Sequence, residues 1–313
     1  MSEAENSKIG VLVMSYGTPE SLDDVEAYYT HIRRGHPPTP EQLTDLYGRY
    51  EAIVGGVFPL RENTNGQVAG LQDKLEQLAP GRYVCYQGLK HARPYIEDGV
   101  EQMARDGIKQ AVGIVLAPHY STMSVGSYIK RAQEKASELG VEMSFVNQYH
   151  LHPKLLQALT ERVMEGLARL SASSGGEPNV KVLFSAHSLP EKIRELGDPY
   201  EEQLLETSRA VAKQAGVADD VWQFTWQSAG RTREPWLGPD ILETLAELAE
   251  QGVKAVLAAP IGFVSDHLEV LFDLDIEAKT TAKNMGITLE RIQMLNRDPL
   301  YMETLAESVI EAT

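Results

Sequence analysis

Short apolar runs alternate along this chain with stretches of helical periodicity. The runs occupy residues 10–14, 83–86, 111–117, 141–146, 180–184, 221–226, 255–259 and 287–294. Apolar runs of this length, bounded by turn residues, read as buried strands. Between them, apolar side chains recur every three or four positions at 62–78, 96–105, 127–139 and 153–170, the spacing of a helix with one face on a core. Regular alternation of the two predicts parallel sheets covered by helices.

The pattern then repeats. Val11-Leu12-Val13-Met14-Ser15-Tyr16-Gly17-Thr18-Pro19 lines up with Val182-Leu183-Phe184-Ser185-Ala186-His187-Ser188-Leu189-Pro190. Ile96, Val100, Met103, Gly107 and Ile108 match Ile241, Leu245, Leu248, Gly252 and Val253 at identical spacing, and Pro153 matches Pro299. Matches in one order favour duplication over the shared grammar of α/β chains. The small, polar run Ser171-Ala172-Ser173-Ser174-Gly175-Gly176-Glu177-Pro178 has linker chemistry. The expected organisation is two similar Rossmann-like domains, residues 1–172 and 173–313, whose strand ends open onto a shared cleft. Tyr16 and His187 then hold equivalent positions past the first strand of each half, where open α/β sheets bind ligands.

Composition narrows the partners. A net charge of -16 repels nucleic acid and works against wholesale attachment to an anionic membrane. The single cysteine, Cys85, allows no internal disulfide and no zinc site or iron–sulfur cluster held by four protein thiolates. It reads as a buried, inert thiol. No run approaches the ~18 apolar residues of a membrane span, and the polar, acidic start lacks the pattern of a signal peptide. The expectation is a cytoplasmic protein with no transmembrane segment.

Candidate chemistry gathers near the predicted strand ends. His187 is open to two readings, a satisfied structural histidine or a general base and metal ligand. After the strand at 255–259, Glu269, Asp273 and Glu277 stand four apart, which on an α-helix aligns three carboxylates along one face. An ordinary solvated face is the bland reading. A row leading cations inward or protons outward is the sharper one. The matching stretch of the first half, Ser121-Thr122-Met123-Ser124-Val125, carries no acid. That half instead offers Tyr16 and the cations Arg33, Arg34, Arg49 and Lys90, which suit a flat apolar ligand edged with carboxylates. Nucleotide-binding glycine fingerprints, phosphate loops, zinc-protease helices and nucleophile elbows are missing from the sequence.

At these residues the chain resembles the ferrochelatase family. The likeness rests on Phe184-Ser185-Ala186-His187-Ser188-Leu189-Pro190, Gly197-Asp198-Pro199-Tyr200, Trp226-Gln227-Ser228, Pro235-Trp236-Leu237-Gly238-Pro239 and Phe263-Val264-Ser265-Asp266-His267-Leu268-Glu269, with Tyr29-Thr30-His31-Ile32-Arg33-Arg34-Gly35 in the first half. It is most like the Gram-positive enzymes that act on coproporphyrin III. The resemblance implies a class II chelatase-like fold, two Rossmann-like halves around a porphyrin cleft. It implies insertion of ferrous iron into coproporphyrin III to give coproheme on the route to haem b. Iron is then a substrate, with no prosthetic group and no iron–sulfur cluster. By motif, His187 and Glu269 become the metal-binding and catalytic pair. Tyr16 becomes the axial ligand of bound iron, and Arg33, Arg49, Tyr50, Phe58 and Tyr128 line the porphyrin. Asp273 and Glu277 continue the acid row, while Lys90, His91 and Trp236 border the cleft. A monomer, with transient contact to the next haem-pathway enzyme, is the implied assembly.

One departure touches substrate choice. Phe58, in Gly55-Gly56-Val57-Phe58-Pro59, stands where the family has a serine, so a hydroxyl contact to a propionate is lost. Protoporphyrin IX as substrate, another tetrapyrrole chelatase, and a two-lobed carrier without chemistry remain the alternatives.

Overall fold

The computed structural model describes residues 8–54, 58–176 and 179–313. Gly55, Gly56 and Val57 of the Phe58 motif, and Glu177 and Pro178 of the linker, lie outside the described residues.

Among the described residues eight strands form two parallel sheets of four. The first has the order β2 (Tyr83–Leu89), β1 (Ile9–Ser15), β3 (Gln110–Val115), β4 (Glu142–Val146). The second has the order β6 (Trp222–Gln227), β5 (Val180–His187), β7 (Ala255–Ala259), β8 (Thr288–Arg291). Identical strand order in both units carries the duplication from sequence into topology. Each first strand sits centrally, paired on both edges: Leu12 lies opposite Tyr86 and Gly113, and Phe184 opposite Phe224 and Ala259. Every residue of β1 is buried, which explains why its sequence is a continuous apolar run rather than an alternation.

The helices follow the same plan. In the first unit α1 (Val25–Ile32), α2 (Pro40–Val54) and α3 (Pro59–Leu78) separate β1 from β2. Then α4 (Ile96–Arg105) leads to β3, and α5 (Val125–Leu139) to β4. The second unit uses α6 (Pro153–Ser173) and α7 (Tyr200–Gln214), and α8 (Ile241–Glu250) leads to β7. The duplicated helices α4 and α8 even share a start signal. The Asp98 carboxylate accepts the Tyr95 N–H at 2.8 Å, and Glu243 accepts the Asp240 N–H at 2.9 Å, each covering a donor that the helix leaves open. In the first core Leu12 and Met14 pack with Ile96, Val100 and Met103. In the second, Leu183 packs with Ile241, Leu245 and Leu248.

The units divide differently from the expected 1–172 and 173–313. The first runs to Tyr149 and regains Asn296–Thr313; the second is His150–Leu295. The reason is where the last helix of each half packs. Gly166 lets α6 lie against Leu257 of β7 and Ile292 just beyond β8, in the second unit. The closing helix α11 (Pro299–Glu311) returns to the first, where Met302 packs on Gly70 of α3 and Tyr301 bonds Tyr149 at 3.0 Å. A polar linker marks where the chain is soft, which need not be where its apolar faces change partner.

Candidate active site

In the second unit β5 ends at His187, and buried Ser185 and Ser188 bracket it. The imidazole Nδ1 donates to the Ser188 carbonyl, so in the neutral ring the lone pair lies on Nε2. That nitrogen stands 3.4 Å from Glu269 Oε1. Burial pushes His187 down, but the Glu269 charge and hydrogen bond, the Ser188 carbonyl and the Asp273 charge outweigh it and raise His187 to about 9. Burial likewise pushes Glu269 up, while the charge and hydrogen bond of His187, helped by His267, hold its carboxyl well below the usual range. At neutral pH the resting pair is therefore imidazolium and carboxylate. Glu269 contributes most to lifting His187 above the ordinary imidazole value of 6.5.

The acid row is built on an unusual helix. Glu269 lies on the four-residue α9 (Leu268–Leu271), which passes into a π-helical segment, Asp273–Ala278, and then α10 (Lys279–Asn284). The Glu277 N–H reaches back five residues to the Phe272 carbonyl at 2.9 Å, the bond that widens the turn. A continuous α-helical stripe is thus replaced by an α–π–α run whose apolar face, Leu274, Ala278 and Ala282, fills the second core. Asp273 accepts from the Ser228 hydroxyl at 2.5 Å and adds to the pull on His187. Glu277 is exposed and its charge acts on Asp240, so the row runs from a half-buried start to solvent. Arg291 of β8 pins this run: its guanidinium forks onto Asp275 at 2.8 Å and reaches Asp266 at 3.2 Å.

Two neighbours complete the surroundings of His187. Trp236 sets its ring 6.3 Å from the imidazole, over Gly230, where a Cβ would lie 2.3 Å from the indole. His267 points Nε2 at the other Glu269 oxygen, 3.5 Å away, with Nδ1 donating to the Ser265 carbonyl at 2.9 Å. Among the described residues no three His, Cys, Asp or Glu side chains are arranged to hold a metal ion. The pair offers two donors, Nε2 and a carboxylate oxygen, a mixed set suited to a borderline divalent ion.

In the first unit the strand ends of β1 and β2 carry Tyr16, Lys90 and His91. The His91 N–H bonds the Tyr16 carbonyl at 3.0 Å, and its ring lies 4.6 Å from the exposed phenol. Gly17 makes this turn possible, with φ at +88° and Ala92 Cβ only 2.9 Å from where a Cβ would be. His31 faces His91 nitrogen to nitrogen at 3.0 Å. Lys90 sits 4.8 Å over the buried Tyr128 ring and donates to Ser127 at 2.8 Å. Burial first, then Arg131 and Arg34, lower its ammonium to about 8. Arg33 lies over the Tyr29 ring at 5.6 Å, and half-buried Arg49 pairs with Asp45 at 3.2 Å. Tyr50 and Phe58, both buried, pack ring on ring at 5.0 Å, which places Phe58 in the core between α2 and α3. Burial pushes the Cys85 thiol up to about 12, which leaves it unreactive at neutral pH.

A family model described as Ferrochelatase matches residues 8–313. The chain belongs to the ferrochelatase family. Among curated ferrochelatases, a coproporphyrin III ferrochelatase from Geobacillus thermodenitrificans is 48% identical over 307 residues, 97% of this chain and 95% of that one. A protein named ferrochelatase from Herpetosiphon aurantiacus is 45% identical over 302 residues, 96% of this chain and 97% of that one. Of solved structures, the sirohydrochlorin chelatase SirB from Bacillus subtilis subspecies spizizenii, in complex with cobalt, aligns with a TM-score of 0.56. It is 13% identical and covers 97% of this chain and 95% of its own, a likeness of fold. No helix of the described residues is long and apolar enough to cross a membrane.

For a ferrochelatase the geometry is telling. The structure brings His187, Glu269, Asp273 and Trp236 together on the second unit, and Tyr16, Lys90, His91 and Tyr128 on the first. Sequence reasoning did not single out Gln227, Ser228 or His267. Ser228 entered only inside the Trp226-Gln227-Ser228 motif, and nothing there signals its φ of +58°, a left-handed conformation that a serine rarely adopts. His267 had a signal, its place two residues before Glu269.

Proposed function

We propose that the protein inserts ferrous iron into coproporphyrin III, giving coproheme for haem b biosynthesis. The observation that carries the chemistry is the His187–Glu269 pair at 3.4 Å in a chain of this family. The choice of coproporphyrin rests on relatives 45–48% identical that bear that name. Iron is the substrate metal, and no prosthetic group or iron–sulfur cluster enters the reaction. A cytoplasmic monomer that passes its product to the next haem-pathway enzyme completes this reading.

Insertion exchanges two pyrrole protons for one ferrous ion. The resting pair already holds a proton on Nε2, so an arriving cation must displace it, and metal uptake is coupled to proton release. As iron passes from Nε2 to the pyrrole nitrogens, the freed Nε2 accepts one pyrrole proton and the Glu269 carboxylate the other, general-base help of the kind that contributes about 10²–10⁴-fold. Asp273 and exposed Glu277 give protons a route to solvent. Tyr16 serves as axial ligand to product iron. Lys90, Arg33 and Arg49 answer the propionates, and Tyr128 underlies Lys90. Buried Phe58 and Tyr50 pack on each other, with Phe58 supplying no hydrogen bond to the substrate.

Anaerobic ferrous insertion, followed by absorbance with coproporphyrin III and protoporphyrin IX in parallel, tests this reading. Turnover with preference for coproporphyrin III is expected, together with its loss in His187→Ala while porphyrin binding persists. Preference for protoporphyrin IX would move the enzyme to another branch of the family. Full activity of His187→Ala would remove the assigned pair.

A further inference from the structure

Gln227 ends β6 with its side chain 1% exposed. Its Oε1 accepts from the Ser185 hydroxyl at 2.8 Å, and its Nε2 donates to the main-chain carbonyl of Glu269 at 2.9 Å. The backbone adds a third link, the Ser188 N–H donating to the Gln227 carbonyl at 2.8 Å. One carboxamide thus spans from the strand that presents His187 to the helix that presents Glu269. Its orientation is fixed by chemistry. The Glu269 carbonyl only accepts, so a turned amide would set oxygen against oxygen.

The location makes the tether consequential. α9 is four residues long and runs into the π-helical segment, so few helical bonds of its own hold Glu269 in place. Where the ladder changes from α to π, carbonyls need donors from elsewhere. The Gln227 amide is such a donor, delivered from the sheet rather than from the helix.

We infer that Gln227 is a positioning residue that sets the separation of His187 and Glu269, with Ser185 anchoring its amide. The inference rests on the reading of His187 and Glu269 as the reacting pair. Gln227 reaches neither metal nor porphyrin; it acts by holding one partner against the other. Reacting groups misplaced by about 1 Å lose on the order of 10²-fold in rate, so even a partial slackening is measurable.

The test uses the full chain with Gln227→Leu, Ser185→Ala and the double variant. Nitrogen-15-labelled histidine is observed by NMR at one pH, and ferrous insertion is measured with coproporphyrin III. The His187 ring signals are expected to move in both single variants, while those of His36 in the first unit stay. The rate constant kcat falls about tenfold in Gln227→Leu and about threefold in Ser185→Ala, with KM for the porphyrin unchanged. Because Ser185 acts only through Gln227, the double variant is no worse than Gln227→Leu, a full coupling of about threefold. Unmoved His187 signals in folded variants overturn the inference, as does a double variant whose losses multiply. Should Gln227→Leu fail to fold, Ser185→Ala decides by the same signals. Full metallation by His187→Ala would sink the reading of the pair, while the NMR shifts still judge whether Gln227 sets its geometry.

Discussion

Replacing Glu269 by glutamine removes the charge that dominates His187 while keeping the shape of the side chain. The imidazole is raised from 6.5 to about 9. At ~1.4 kcal/mol per unit, that corresponds to roughly 3 kcal/mol of preference for the charged ring. Both side chains are near one third exposed, 31% and 33%, so solvent screening reduces the effect on stability to about 1–2 kcal/mol. The sign follows from linkage. His187 has a raised folded value, so its contribution is complete below 6.5 and lost as pH rises through about 9. Glu269 is depressed, so the same ion pair, counted once, also fades as pH falls below the ordinary carboxyl value of 4.5. The stability gap between wild type and Glu269→Gln is therefore widest between 4.5 and 6.5 and closes above 9.

Two assays check this. Urea unfolding at about pH 6 and about pH 9.5 gives the gap directly, and an NMR titration follows the His187 ring. In the variant His187 is expected to titrate near its ordinary value and metallation to fall by about 10²-fold or more. A gap equal at both pH values, or a variant His187 still titrating near 9, would refute the electrostatic account.

Gly262→Ala should cost about 1–3 kcal/mol in urea unfolding and lower kcat, through overpacking against the strand that holds His187. A Cβ there would sit 2.4 Å from Ala186 Cβ and 2.9 Å from Ala186 Cα, atoms fixed by the strand. Lys90→Met should weaken coproporphyrin binding about 3–10-fold by fluorescence quenching, with a smaller deficit in high salt. Because Lys90 is lowered to about 8, wild-type affinity should decline as pH rises through that value and the variant's should not. A parallel decline in both would mean that another group controls the binding.

The strands and most helices could be read from the chain because a buried central strand must be apolar throughout and a covering helix must repeat its apolar face. The run at 255–259 and the helix at 96–105 fall where the pattern puts them. The run at 287–294 shortens to Thr288–Arg291, since apolar residues beyond a strand also pack in loops. The exchange of terminal helices was not legible: α6 and α11 have similar apolar faces, and sequence does not say which sheet each covers. Nor was the π-helical segment, because its acids sit four apart, a spacing that an α-helix also satisfies. At the site the residues were legible by type, but their charge states were not. Charge state depends on the 3.4 Å between His187 and Glu269, which no spacing in the sequence encodes.

Duplication explains how the chemistry became one-sided. Both units place a central strand end, Tyr16 or His187, beside a helix that follows the third strand. In the first unit that helix is the continuous α5, whose Tyr128 lies buried beneath Lys90. In the second it is the α9–π–α10 run, whose widened turn brings Asp273 to Ser228 and within electrostatic reach of His187. An α-helix packed against a sheet commits one face to the core and has little freedom to re-aim a side chain. Inserting a π turn keeps Leu274, Ala278 and Ala282 in the core while changing the direction of the acids beside them. The first helix of that run is only four residues long, and the Glu269 carbonyl within it accepts the Gln227 amide from the neighbouring strand. Acid chemistry and tether thus belong together: a copy with an intact α5 needs neither. Grafting the acids onto α5 should therefore fail to create a second metallation site unless the π turn and an amide donor are grafted with them, which metal titration of the grafted full chain would decide.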